Sequence, residues 1–84
     1  MENSNDILLA EVGSLIKVGK RTYRITNEPI KSGDLIWNEP SKSLDKCMAA
    51  FSDGQIAVEF SSGMERGMRA VFNSNRFQKV VKQR

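Results

Sequence analysis

Histidine is absent from the 84-residue sequence, and cysteine occurs once, at Cys47. Catalytic triads built on histidine and metal sites that need histidine are therefore excluded, and one thiol is too few for a thiolate metal site. One cysteine also forms no internal disulfide, although small secreted domains usually carry several, so we expect a cytoplasmic protein. We expect no enzyme activity, no metal and no cofactor, because most groups that acid–base and nucleophilic catalysis need are missing.

Long hydrophobic runs are also missing, because no apolar stretch approaches the roughly 20 residues that cross a membrane. The six glycines are scattered and form no Walker or Rossmann fingerprint. The length predicts one domain with one core. We expect residues 1–5 to be disordered and residues 6–84 to form a single small β-rich domain. Residues 6–12 fit a short helix and a strand equally well.

The strongest local pattern lies between Lys46 and Phe60. Two apolar runs flank Asp53-Gly54, a pair typical of a tight hairpin turn. With a two-residue turn at this pair, Phe51 faces Ile56, and alternate side chains share one buried face. The predicted buried set is Cys47, Ala49, Phe51, Ile56, Val58 and Phe60.

A second hairpin is predicted nearer the start of the chain. Residues 15–18 and 21–26 alternate between apolar and polar side chains, and Gly19-Lys20 between them is suited to the turn. In this register Ile16 faces Tyr23. The hairpin then has one apolar and one polar face, as in an antiparallel sheet that packs on one side.

The remaining segments complete a mainly β prediction. We expect a short strand at residues 35–38, a loop at 39–45, a short helix from Ser62 to Phe72, and a closing strand at 76–81. The helix rests on the capping-box pair Ser62 and Glu65 and on apolar residues at helical spacing. The turn at Lys31–Asp34 leading into Leu35 resembles that of SH3-like barrels. The predicted fold is a small antiparallel SH3-like barrel, or a curled sheet, of about five strands with one short helix.

Charge is the main functional clue in the sequence. The net charge of +3 conceals two basic stretches, at residues 17–24 and after Glu65, and neither contains an acid. If the first hairpin and the last strand are neighbours, both stretches lie on one side of the molecule and form a basic face. Trp37 is the aromatic side chain that we retain as a candidate for exposure. The candidate partner-binding residues are Lys17, Lys20, Arg21, Arg24, Arg66, Arg69, Arg76, Lys79 and Trp37.

Two segments of the sequence resemble known proteins, and this resemblance indicates a role for the predicted basic face. The segments 23–34 and 76–81 resemble short proteins encoded by phages and prophages. The resemblance implies an accessory protein that binds a host factor and blocks or redirects it. The first hypothesis is thus a non-catalytic binding protein whose basic face and 39–45 loop engage an acidic protein surface.

Two alternatives stay open. One is a small nucleic-acid-binding β-barrel, whose affinity for any oligonucleotide would fall steeply with salt. The other is a virion or structural assembly protein, because an exposed edge strand can pair with another copy to form a homo-oligomer.

Overall fold

The computed structural model describes residues 8–83. They form seven strands and one 3-10 turn. The strands are β1 (Leu15–Val18), β2 (Arg21–Ile25), β3 (Leu35–Asn38), β4 (Ser43–Ala50), β5 (Gln55–Glu59), β6 (Arg69–Asn73) and β7 (Gln78–Gln83), and the 3-10 turn is Ser74–Arg76. The predicted disorder at residues 1–5 lies outside the described residues, as does the start of the 6–12 segment. Its described part, residues 8–12, is neither helix nor strand.

The strands form one antiparallel sheet in the order β1-β2-β7-β3-β4-β5-β6. The mainly β prediction is confirmed, but seven strands replace the expected five. The sheet is open, with β1 and β6 at its two edges, so a closed SH3-like barrel is not formed. The chain returns once, when β7 inserts between β2 and β3. The first hairpin and the last strand are therefore neighbours, as predicted. Residues 8–83 contain no helix long and apolar enough to cross a membrane.

The β1–β2 hairpin has the predicted register. Ile16 pairs with Tyr23, and Val18 pairs with Arg21 across the Gly19-Lys20 turn. Gly19 has a φ of 62°, a left-handed conformation that glycine adopts without the strain a side chain would bring. Tyr23 is buried and Ile16 is half-buried, so the apolar face packs inward as expected.

The β4–β5 hairpin exists, but its predicted register is wrong. Its turn has three residues rather than two: the Gly54 N–H donates to the Phe51 carbonyl, and the Phe51 N–H donates to the Gln55 carbonyl. Gly54 takes the left-handed position that follows the first bend in a three-residue loop, at a φ of 88°. A bulge between Cys47 and Ala49 shifts the register once more. Phe51 is consequently 49% exposed instead of buried.

The predicted helix from Ser62 to Phe72 is absent. Residues 61–68 form a loop, and β6 follows it as an edge strand. Gly63 and Gly67 both have positive φ angles, 77° and 85°, which a right-handed helix cannot contain. The Gly67 N–H donates to the Phe60 carbonyl, which turns the chain back beside β5. The apolar spacing of this segment therefore belongs to a loop and a strand.

The predicted 39–45 loop is shorter than expected. The turn ends at Lys42, whose N–H donates to the Glu39 carbonyl, and β4 begins at Ser43. Asp45 consequently lies within a strand and is 1% exposed. Its carboxylate accepts hydrogen bonds from the Ser61 N–H, 3.1 Å, and from the Asn38 amide, 3.3 Å. This buried acid fastens the start of the 61–68 loop to β4.

The core consists of two clusters on opposite faces of the sheet. Consecutive residues of β3 contribute one member to each, because Ile36 and Trp37 point in opposite directions. The first cluster is Ile36, Cys47, Ile56, Val58 and Phe77, with Ile30, Phe60 and Phe72 packed against it. The second is Tyr23, Ile25, Trp37 and Val80, with Ala10, Ile16 and Leu44. Each half of the sheet thus leaves its other face open to solvent.

Candidate functional site

Three adjacent strands, β1, β2 and β7, carry the largest group of predicted binding residues. Lys17 and Arg24 lie on the face opposite the buried Tyr23 and Ile25, because they alternate with the inward side chains. Lys20 and Arg21 occupy the hairpin turn and the first position of β2. All four cations are exposed.

Lys82 adds a fifth exposed cation that was not among the predicted binding residues. It pairs with Tyr23 across β2 and β7, so it lies beside the hairpin on the same face as Tyr23 and Arg21, opposite to Lys17 and Arg24. The sequence pattern predicts that the last strand ends at Val81, whereas β7 continues to Gln83. Val80 and Lys82 share one face of β7, so the alternation of apolar and polar residues gives no signal for this extension.

The five cations surround the hairpin: Lys17 and Arg24 lie on one face, Arg21 and Lys82 lie on the other, and Lys20 lies in the turn. We call the surface that they form at this end of the sheet the basic hairpin surface.

The basic hairpin surface contains no carboxylate on its three strands, which read LIKV, RTYRI and QKVVKQ. The ion pairs found within residues 8–83 involve none of its five cations. Arg24 makes a side-chain hydrogen bond, which its guanidinium donates to the Gln83 amide oxygen at 3.2 Å. Because that partner is neutral, the cationic charge remains uncompensated and faces solvent.

Lys79 belongs to the fold rather than to this surface. Its ammonium lies 3.5 Å from a Glu28 carboxylate oxygen and 3.7 Å from an Asp34 carboxylate oxygen, and its side chain is only 22% exposed. Asp34 also accepts the Lys31 N–H at 2.7 Å within the turn before β3. Lys79 thus connects the 26–34 segment to β7, and its charge is already compensated.

The three remaining arginines lie apart from the basic hairpin surface. Arg66 is in the 61–68 loop and Arg69 begins β6, which is the opposite edge strand of the sheet. Arg69 pairs across the strands with Glu59. Arg76 ends the 3-10 turn. The sheet order therefore separates Arg66 and Arg69 from the first hairpin, and the expected single basic face divides.

Trp37 is buried at 5% exposure and presents no open ring face. Its indole N–H donates to a Glu39 carboxylate oxygen at 2.6 Å, and the other oxygen of Glu39 pairs with Lys42. The hydrogen bonds from Lys42 and then Trp37 hold the pKa of Glu39 below its usual range. Trp37 therefore stabilises the β3–β4 turn and the second core cluster and does not form part of an exposed surface.

The single thiol, which could act as a nucleophile or a metal ligand, also has a structural role. Cys47 is fully buried, its thiol donates to the Ala49 carbonyl at 3.4 Å, and burial raises the pKa of the thiol. Within residues 8–83 there is no group of three or more acidic or thiol side chains placed to hold a metal ion.

The basic hairpin surface is therefore a charged surface that takes part in none of the ion pairs found within residues 8–83. Comparisons with known proteins add no precedent for it, because the chain matches no protein-family model, no curated protein and no solved structure.

Proposed function

We propose that this protein is a non-catalytic binding protein that engages an acidic surface of a macromolecular partner through the basic hairpin surface. The observation that carries the proposal is that five exposed cations surround the first hairpin, four on β1, β2 and β7 and one in the turn, and that these three strands contain no carboxylate. Such a surface attracts a negatively charged partner over a distance of about 8 to 10 Å at ordinary salt. Binding of this kind would block or redirect a host factor, as the resemblance to phage and prophage proteins implies.

An acidic protein surface fits this site better than single-stranded nucleic acid does. Proteins that bind single strands combine cations with exposed aromatic rings on which bases stack. Tyr23 supplies the aromatic ring on β1, β2 and β7, and it is buried at 4% exposure. Leu15 is 61% exposed and Val18 is 39% exposed on β1, so apolar contacts lie next to the charges. Cations beside aliphatic side chains are suited to a protein surface.

The proposal can be tested with defined probes and a pair of matched variants. Lys17→Gln with Arg24→Gln removes two charges from the basic hairpin surface, and Lys31→Gln with Lys46→Gln removes two exposed charges elsewhere. Because an exposed charge pair contributes about 0.2 to 1 kcal/mol, we expect the first variant to bind a labelled oligoglutamate peptide about two- to thirtyfold more weakly than the wild type. The control should bind as the wild type does. Fluorescence anisotropy at several salt concentrations gives these affinities.

The same titrations include single-stranded and duplex oligonucleotides of matched charge. Tighter binding to either oligonucleotide than to the peptide, with an affinity that falls steeply with salt, would replace the proposal by the nucleic-acid alternative. An equal loss in both variants would show that net charge alone, rather than the basic hairpin surface, governs binding.

A further inference from the structure

The edge strand β6 has backbone N–H and C=O groups that point away from the sheet and are placed symmetrically about the middle of the strand. At one end of the β5–β6 ladder the Phe60 N–H donates to the Met68 carbonyl, and at the other the Ser74 N–H donates to the Gly54 carbonyl, at 2.9 Å each. Hydrogen-bonded and non-hydrogen-bonded pairs alternate along an antiparallel ladder. Ala70 and Phe72 therefore direct their backbone groups toward β5.

The odd-numbered residues of β6 direct their N–H and C=O groups away from the sheet. These residues are Arg69, Val71 and Asn73, and all three are exposed. Because Val71 lies midway between the other two, a two-fold axis beside Val71 pairs this residue with its own copy. The same axis pairs Arg69 with the copy's Asn73.

We propose that β6 is the contact surface for a second copy of this chain, and that the two β6 strands pair antiparallel about Val71. Each of the three residue pairs contributes two backbone hydrogen bonds, which makes about six in all. The result is one continuous sheet through both copies. The proposal concerns the opposite edge from the basic hairpin surface and is independent of what that surface binds.

The side chains of β6 are complementary to themselves in this register. On one face Val71 meets Val71, and the guanidinium of Arg69 meets the neutral amide of Asn73, so no like charges oppose each other. On the other face Phe72 lies opposite the small Ala70, in the pairs where side chains approach most closely. The half-buried Ala57 pairs with Val71, and Ala49 pairs with Ala57 on the next strand, so the pairing would extend this apolar row into the second copy.

The two edge strands, β1 and β6, differ in how well each could pair with a second copy of the chain. Proteins commonly block exposed edge strands with lysine or proline. β1 is a four-residue strand with Lys17 in it, and two copies paired there would bring their basic hairpin surfaces together. The centre of β6 is Ala70-Val71-Phe72, without charge, proline or glycine. Pairing at β6 also leaves the two basic hairpin surfaces at opposite ends of the dimer, free to bind two partners.

The test uses charge at the centre of the proposed contact. Val71→Lys and Val71→Glu should be tolerated by the monomer, because the side chain is 54% exposed. We expect sedimentation equilibrium, from micromolar to millimolar protein, to show the wild type rising to twice the 9.4 kDa mass of one chain. Each variant alone should stay at the single-chain mass, because like charges then meet across the axis. An equal mixture of the two should regain the double mass.

A matched control and a second readout complete the test. Leu15→Lys places the same charge on an exposed side chain of the other edge and should leave the mass doubling unchanged. In the wild type, amide hydrogen exchange at Val71 should slow at least tenfold with rising concentration, while exchange at Ala70 and Phe72 stays constant. Constant exchange at those two residues in the variants shows that the β5–β6 ladder is intact. A wild type that stays at the single-chain mass, a Val71→Lys variant that still doubles, or a Leu15→Lys variant that does not would overturn the proposal.

Discussion

Two phenylalanines of this chain have opposite surroundings. Phe77 is 6% exposed and packs edge-on against the Phe72 ring, with the ring centroids 5.4 Å apart. Phe51 flanks the β4–β5 turn and is 49% exposed, although its sequence pattern places it in the core. Burial, rather than residue type, therefore determines what each ring contributes to stability.

This difference gives a prediction at the scale of single residues. We expect Phe77→Ala to lower the free energy of unfolding by about 3 to 5 kcal/mol, because it removes a buried ring and leaves a cavity. Phe51→Ala should lower it by only about 1 kcal/mol or less, because much of that ring is already in water. Urea denaturation of both variants measures the two losses. A loss at Phe51 as large as that at Phe77 would mean that the predicted two-residue turn and buried Phe51 were right.

The β3–β4 turn shows how an element depends on one acid. Glu39 accepts the Trp37 indole N–H and pairs with Lys42, and these contacts favour its charged form and lower its pKa. Because the folded-state pKa lies below the unfolded value, the unfolded chain takes up this proton first on acidification. The stabilisation from Glu39 is therefore fully present above roughly pH 4.3, the ordinary glutamate value, and is lost as the pH falls through the lower folded-state pKa.

Trp37 reports this change because it is the single tryptophan in the sequence. We expect the emission of the folded protein to shift below roughly pH 4.3, where protonation of Glu39 weakens the bond from the indole. Glu39→Gln should lack this acid transition and lose less stability on acidification than the wild type does. Tryptophan fluorescence from neutral pH to pH 2 measures the shift. An identical transition in Glu39→Gln would assign it to another carboxyl.

The elements also show what sequence patterns can and cannot predict. The β1–β2 register was predictable because Gly19 fixes a two-residue turn between two alternating strands. The β4–β5 register was not, because Asp53-Gly54 fits turns of two and of three residues, and nothing in the local pattern indicates the bulge beside Met48. The apolar spacing after Ser62 favours a helix, but Gly63 and Gly67 break it with positive φ angles.

At the scale of the whole molecule, long-range order decides where the charges lie. The basic residues of the first hairpin could be found from sequence, because β1 and β2 are adjacent in the chain. The sequence gives the position of β7 beside β2 only as a condition, and this position brings Lys82 beside the hairpin, on the face of Arg21. The separation of Arg69 is not predictable from the sequence, because the local pattern favours a helix there, whereas the segment forms β6 at the far edge. The two core clusters on opposite faces are not predictable either, because alternation within each hairpin shows which residues share a face but not which face of the sheet that is.

The central claim is that the basic hairpin surface is the part of the molecule that binds an acidic partner. The most direct measurement is retention of a protein from nuclease-treated bacterial lysate by immobilised wild type and by a variant with Lys17, Arg21 and Arg24 changed to glutamate. Circular dichroism should show an unchanged fold, because all three side chains are exposed. We predict that the wild type retains an acidic protein, that added salt releases it, and that the variant retains none of it. Equal retention of that protein by the folded variant would contradict the account.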